Sequence, residues 1–360
     1  MEKSDILKAL STVQEPDLKK DLVSLKMIQD IEIDGNLVSF KVVLTTPACP
    51  MKEKIEKDCI NAILKLVSDQ AVVKIEMTAN VTSNRSDKLT LPNVKNIIAV
   101  ASGKGGVGKS SVASNLAIAL AAKGAKVGLL DADIHGPSVP MMFGVMHEQP
   151  LMRNVDGKEL MVPIEKYGVK LLSIGFLIKP EQAVVWRGPM VSSALRQFVN
   201  DTDWGDLDYL ILDLPPGTGD VHLTMVQIVP LTGVVMVTTP QAIALADAYK
   251  AATMFGMTGV KVPILGIVEN MAYFTPAELP DNKYHIFGYG GGKTMSNELQ
   301  VPFLGEVPIF MSVREGGDTG APAATIDGSP AQKVFFQIAE KVAQQIAVLN
   351  ATPKEEVANA

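Results

Sequence analysis

From Asn96 onward the sequence is built on short, almost unbroken apolar runs: Ile97–Ala101, Val127–Leu130, Val169–Ile174, Tyr209–Leu212, Val234–Thr238 and Ile264–Val268, with a weaker one at Phe303–Val307. A strand with one wet face alternates apolar and polar residues. These runs have no polar side, so each is expected to be buried on both faces. Segments of helical character, Ser110–Lys123, Met190–Val199 and Gln241–Gly256, fall between several of them, and Ala331–Val348 reads as a final helix. The combination predicts an α/β fold, a mostly parallel sheet flanked by helices.

The first 80 residues follow a different pattern and predict a small α+β domain. Ser4–Ser11 starts a helix, Met27–Ile33 and Leu37–Leu44 read as strands around the turn signal Asp34-Gly35, and Ala71–Met77 reads as another strand. Met51–Val67 reads as a helix with Ile55, Cys59 and Ile63 on one face, which makes Cys59 a core residue. The polar stretch Thr82–Lys88, ending at Leu91-Pro92-Asn93, has no hydrophobic period and reads as a linker. The expected organisation is a domain over 1–80, a linker over 81–95, a second domain over 96–350 and a polar tail over 351–360.

Charge and cysteine content exclude some function classes. A formal charge of −6 argues against non-specific nucleic-acid binding, which needs a basic footprint. No apolar run reaches the roughly 18 residues of a membrane span, and Met1-Glu2-Lys3-Ser4-Asp5 leads into no signal-peptide stretch. The expectation is a cytoplasmic protein with neither nucleic acid nor membrane as partner. Its two cysteines, Cys49 and Cys59, are not expected to form a disulfide in a reducing compartment, and one chain cannot supply a four-cysteine site.

The chemistry centres on Gly103-Lys104-Gly105-Gly106-Val107-Gly108-Lys109-Ser110, which fits G-x-x-x-x-G-K-[ST] between a strand and a helix. Glycines let the backbone N–H groups turn inward around phosphate oxygens. Lys109 supplies charge to the terminal phosphates, Ser110 supplies a hydroxyl to Mg²⁺, and the following helix aims its N-terminus at the anion. This is a P-loop NTPase pattern. Asp131-Ala132-Asp133 and Asp213 end predicted strands, at the rim where α/β folds bind ligands. One is expected to hold Mg²⁺ and another to orient the attacking water. Leu214-Pro215-Pro216-Gly217-Thr218-Gly219-Asp220 reads either as a γ-phosphate sensor acting through Gly217 N–H or as a plain strand-to-helix turn.

Lys104 beside Lys109 resembles the signature of the deviant Walker A group, which includes the MinD and ParA ATPases, the ArsA-type ATPases and the nitrogenase iron protein. Within it the chain most closely resembles the Mrp/ApbC proteins, which are iron–sulfur cluster carriers. The resemblance runs through Gly103–Ser110, Asp131-Ala132-Asp133-Ile134-His135-Gly136-Pro137-Ser138, Trp186-Arg187-Gly188-Pro189-Met190, Asp213–Asp220, Glu269-Asn270-Met271, His285-Ile286-Phe287-Gly288 and Arg314-Glu315-Gly316-Gly317-Asp318. It implies ATP and Mg²⁺ as cofactors, with Gly103 through Ser111 around the nucleotide. It also implies a homodimer in which Lys104 reaches the partner's nucleotide, Asp133 positioning water, Asp213 with Ser110 supporting Mg²⁺, and Asn270 contacting adenine.

The N-terminal domain resembles the small iron–sulfur assembly domain that precedes the ATPase in many bacterial Mrp proteins, through Thr45-Thr46-Pro47-Ala48-Cys49-Pro50. Cys49 reads either as a thiol activated at a helix start or as an inert buried cysteine. One departure matters. Cluster carriers of this family place Cys-x-x-Cys after Glu-Asn-Met, and two such pairs across a dimer hold one cluster. Here Ala272-Tyr273-Phe274-Thr275-Pro276-Ala277-Glu278-Leu279-Pro280 has no cysteine. Glu278 and His285 stand there as weak candidate ligands, which leaves Cys49, one from each subunit with outside thiols, as the better candidate for an iron–sulfur cluster. The resemblance implies an ATP-hydrolysing carrier serving apo iron–sulfur proteins and assembly factors. The other readings are a regulatory or scaffold ATPase without the bridging cluster, a MinD/ParA-like positioning ATPase, and a ligase with a substrate pocket in Met141–Gln182.

Overall fold

The computed structural model describes all residues except 86–89, 135, 156, 178–187 and 353–360, with backbone alone at 188, 189, 220 and 221. Trp186, Arg187 and His135 of the quoted motifs therefore lie outside the described residues, as does most of the polar tail. The chain divides into two compact units, residues 1–84 with the chain end from Ala343, and 85–342. The helix Pro330–Ala351 contains the second division point.

In the smaller unit, Ile28–Asp34 and Leu37–Leu44 pair antiparallel, and Leu37–Leu44 pairs parallel with Val72–Ala79. Asp34 faces Leu37 across a two-residue turn whose Gly35 has φ +56°, a conformation glycine adopts without a Cβ clash. Along Leu37–Leu44 burial alternates, with Val38, Phe40, Val42 and Leu44 inside. Their partners are Ile6 and Leu10 from the helix Lys3–Leu10, and Ile55, Cys59 and Ile63 from the helix Lys52–Leu66. Within this unit the start of the polar stretch carries side-chain contacts: Asn350 Nδ2 donates to Thr82 O at 2.8 Å, and Asn84 N donates to Asn350 Oδ1 at 3.2 Å.

The larger unit holds an eight-stranded sheet in the order Ile164–Lys166, Val169–Ser173, Val127–Asp131, Leu207–Asp213, Val94–Ala101, Gly233–Thr238, Ile264–Asn270, Phe303–Val307. Only the edge strand Ile164–Lys166 runs antiparallel to its neighbour. Each apolar run of the sequence is a strand here, and Ile97 to Ala101 and Leu210 to Leu212 are fully buried, as two-sided coverage by helices requires. The chain starts at the central strand Val94–Ala101, builds toward one edge, returns to its flank at Leu207–Asp213, then crosses to the other side. The reversal leaves a crevice at the carboxyl end of the central strand.

Some elements have no strong sequence signal. The helices Asp220–Ile228, Gly291–Glu298 and Met311–Thr319 are short and respectively follow, begin at and contain glycine. In Met141–Gln182, the stretch Leu151–Val155 pairs with Lys158–Val162 as a hairpin, fastened by Arg153–Asp203 at 2.9 Å and Lys158–Asp201 at 2.7 Å. Among the described residues no helix is long and apolar enough to cross a membrane.

Cys59 is fully buried, and burial pushes its thiol up to about 12. It should resist iodoacetamide at pH 8 in the native protein and react once urea unfolds the small unit. Peptide mass mapping checks this, and native-state labelling would contradict the packing described.

Candidate functional site

The glycine loop is shaped by what lies behind it. A Cβ on Gly103 would sit 2.1 Å from the backbone carbon of Asp247, in the helix Ala242–Gly256. A Cβ on Gly108 would sit 2.2 Å from Asn270 Nδ2, and Gly108 also has φ +80°. Gly106 has φ +82° but open space around it. Gly103 and Gly108 thus permit close approach, and Gly106 and Gly108 permit the left-handed turn. Gly108 caps the helix Lys109–Ala122, so the loop ends where that helix presents unpaired N–H groups. Inside that helix, Asn115 donates to Ser111 O at 2.8 Å and accepts from Ala324 N at 2.7 Å, fixing the helix start to the chain beyond it.

Strand register brings the acidic groups together. Asp213 pairs with Asp131, and Asp131 with Ser173, so the three side chains lie in a row along the carboxyl ends of adjacent parallel strands. Lys109 Nζ donates to Asp213 Oδ1 at 2.6 Å and to Ser110 Oγ at 3.2 Å. Lys109 is 5% exposed and Asp213 not at all. Asp131 accepts from Asp133 N at 3.1 Å, Val139 N at 3.2 Å and Ser173 Oγ at 3.0 Å.

Two buried carboxylates beside one ammonium cannot both ionise cheaply. Burial, then the neighbouring Asp213, pushes Asp131 up to about 7. Burial also raises Asp213, but Lys109 opposes it. The direct 2.6 Å contact makes Asp213 the ionised member, with Asp131 as the one that takes a proton. Asp131 is the functional neighbour that sequence reasoning did not assign. Its signal was the Asp-Ala-Asp pattern, but only register shows that Asp131 lies beside Asp213 on the neighbouring strand, while Asp133 lines the cleft.

The cleft, about 220 Å³, is lined by Lys104, Gly105, Gly106, Gly108, Lys109, Ser110, Ser111 and Asp133, with Ser102, Ser138, Met142 and Pro216. The structure therefore brings nearly all the sequence-predicted loop residues to one place. Val107 is buried beneath it, its carbonyl accepting from Asn270 Nδ2 at 2.8 Å. Asn270 thus spends one of its two amide N–H groups on the loop, which leaves the other N–H and Oδ1 for a contact with adenine. Gly217 N donates to Ser102 O at 2.9 Å, so the loop after Asp213 is tied to the end of the central strand.

Asp213 Oδ2 is buried without a hydrogen-bond partner. That orphan acceptor, beside the Ser110 hydroxyl, is a hard oxygen pair of the kind Mg²⁺ takes. Among the described residues no cluster of three or more His, Cys, Asp or Glu is arranged to hold a metal ion. Cys49 belongs to the smaller unit, half-buried against its core just ahead of the helix Lys52–Leu66. His285 Nδ1 lies 3.2 Å from Ala272 O, and its ring packs edge-on against Tyr289.

A parallel sheet whose central strand feeds a glycine loop and helix, with lysine and serine against a strand-end aspartate, defines a P-loop NTPase, an ATPase by class. Residues 93–343 match the family model described as ParA, the NUBPL iron-transfer P-loop NTPases, and residues 3–77 match a family of iron–sulfur cluster assembly proteins. The iron–sulfur cluster carrier protein of Synechocystis is 49% identical over 346 residues, covering 95% of this chain and 97% of its own. That of Escherichia coli is 42% identical over 341 residues, covering 94% and 90%. A solved nucleotide-binding protein from Archaeoglobus fulgidus, in complex with ADP, superposes with a TM-score of 0.58 at 37% identity, over 69% of this chain and 95% of that one. The cell division ATPase MinD of Pyrococcus furiosus, at 24% identity and TM-score 0.50, over 69% of this chain and 98% of its own, shares the fold. The chain belongs to the NUBPL/ParA iron-transfer P-loop NTPase family, and its near full-length relatives are iron–sulfur cluster carrier proteins.

The two kinds of glycine should behave differently. Gly103→Ala drives a Cβ into helix backbone and should abolish ATP binding. Gly106→Ala has room and should cost about 1–2 kcal/mol of left-handed strain. Titration of ATP binding and urea unfolding check this, and equal effects would contradict it.

Proposed function

We propose that the protein is a cytoplasmic ATPase that uses nucleotide hydrolysis to gate delivery of iron–sulfur clusters to apoproteins. The observation that carries the nucleotide half is the buried Lys109–Asp213 pair with Ser110 beside it. Kinship with carrier proteins over almost the whole chain supports the cargo half.

In this reading the nucleotide's terminal phosphates draw Lys109 away from Asp213; the freed carboxylate and Ser110 would then hold Mg²⁺, which would offset phosphate charge. Asp133, facing the cleft, orients the water that attacks the γ-phosphorus as the bond to the ADP oxygen breaks. The loop amides from Gly103 to Ser111 cradle the phosphates. Lys104 lines the cleft but enters none of the ion pairs among the described residues, which suits a side chain that serves a second subunit's nucleotide. A homodimer follows from that role. Nucleotide state can shift the dimer's equilibrium only by its differential affinity for the two forms.

The cluster needs thiolates, and this chain offers few. Cys59 is sealed in the core with its thiol raised, and 272–280 has no cysteine. Cys49 is the remaining ligand, one per subunit, so the other thiols come from client proteins, assembly factors or small thiols. Such a site suits brief custody during handover better than storage. The cysteine-free loop also favours a second reading, a regulatory or scaffold ATPase of the same family.

Anaerobic reconstitution followed by iron and sulfide analysis separates the two. The wild type should load and Cys49→Ala should lose most of the load. Equal loading would remove Cys49 from the proposal, and no loading of either would favour the scaffold. Lys104→Ala should lower ATP turnover about a hundredfold, the usual cost of one transition-state donor, and should keep the protein monomeric with ATP in sedimentation. An ATP-dependent dimer in that variant would contradict the role given to Lys104.

A further inference from the structure

The loop that follows Asp213 runs into the helix Asp220–Ile228, whose third residue is a histidine. His222 is 1% exposed, and neither ring nitrogen has a hydrogen-bond partner. Its ring meets Phe255 of the helix Ala242–Gly256 edge-on, with 6.4 Å between ring centres. Burial holds the imidazole below the usual histidine pKa, and the carbonyls of Gly219 and Pro215 face it and favour its charged form without closing a hydrogen bond. The charges of Lys109 and Asp133 also act on it, with opposite signs, so the ring lies within the field of the phosphate site.

A neutral imidazole carries one N–H and one lone pair, and a fold rarely buries both without a partner. A leucine would fill the position without that penalty. The nearby acceptors come from the two ends of one loop, Pro215 at its start and Gly219 at its end. Between them Gly217 gives its N–H to Ser102 O at 2.9 Å. If Gly217 lets go of Ser102, the loop carbonyls move against a ring seated on Phe255, and the unused N–H is already in place to meet one of them.

We propose that His222 is a positioning residue that clasps the Pro215–Gly219 loop in a second position, donating to a loop carbonyl once Gly217 N–H has left Ser102 O for the nucleotide's terminal phosphate. The proposal rests on the reading that this phosphate moves the loop. The unpartnered ring nitrogens are then the contacts reserved for the ATP-bound form, and the helix Asp220–Ile228 is coupled to it through its own third residue.

The test compares affinities of the full-length protein for ADP and for a non-hydrolysable ATP analogue, both with Mg²⁺, in the wild type, His222→Leu, His222→Asn and His222→Gln. The wild type should prefer the ATP analogue. His222→Leu, and His222→Asn with an amide too short to reach the loop, should lose about tenfold of that preference, roughly one hydrogen bond. Affinity for ADP should stay within about twofold, and the melting temperature of the leucine variant should not fall. His222→Gln, which keeps a reaching N–H, should recover most of the preference. Wild-type preference in the leucine and asparagine variants, equal weakening of both nucleotides, or a glutamine variant as impaired as asparagine would overturn the clasp. A wild type without any preference would overturn the loop-movement reading beneath it.

Discussion

A lysine ammonium 2.6 Å from a carboxylate, both almost wholly withdrawn from water, is costly to assemble and is held here by everything around it. Removing one partner of such a pair leaves an unpaired buried charge and typically costs about 3–5 kcal/mol. The pair exists because the first turn of the helix Lys109–Ala122 and the end of the strand Leu207–Asp213 meet at the switch point of the sheet. Gly103 lets the loop lie on helix backbone, Gly108 lets it lie on Asn270, and Asn270 ties it down through Val107 O. Asp131 accepts three hydrogen bonds and takes up a proton readily, so it does not compete with Asp213 for Lys109. The loop, the sheet register and the second aspartate are therefore one electrostatic arrangement. A triphosphate and a divalent cation can take it over by substituting for each partner at once.

The sheet was legible because its strands are buried on both faces, which leaves Ile97–Ala101 or Tyr209–Leu212 no polar residue to confuse the period. The phosphate loop was legible because Gly103 and Gly108 allow an approach that a Cβ would block, and Gly106 and Gly108 take the left-handed turn that favours glycine. The pairing of Asp131 with Asp213 was not legible. Eighty-odd residues separate them, and only the order of strands makes them neighbours. Asn270 was visible through the family resemblance, but its bond to Val107 O comes from tertiary packing. His222 gave no signal, since one histidine in a short helix reads like any other until burial and missing partners are known. The hairpin Leu151–Val162 escaped for the opposite reason: its strands are mostly exposed and have no apolar period strong enough to mark them.

Kinship and chemistry bear on different parts of the account. Relatives matching end to end fix the family, and both the assembly-type unit and the NTPase unit match. The segment after Glu269-Asn270-Met271 forms an aromatic turn, in which Phe274 and Tyr284 bond to each other's backbone and Lys283 lies 4.2 Å over the Tyr273 ring. That turn has hydrophobic and cationic character but no thiolate, while the half-buried thiol of Cys49 belongs to the other unit.

The claim on which the rest turns is that nucleotide and Mg²⁺ open the Lys109–Asp213 pair and take one partner each. Calorimetric titration of ATP with and without Mg²⁺, in the wild type and in Asp213→Asn, measures this directly. The account predicts that Mg²⁺ tightens ATP binding in the wild type. In the variant, magnesium-free ATP should bind at least as well as to the wild type, because Lys109 is already released, and the gain from Mg²⁺ should disappear. A variant that keeps the full magnesium gain would contradict the account.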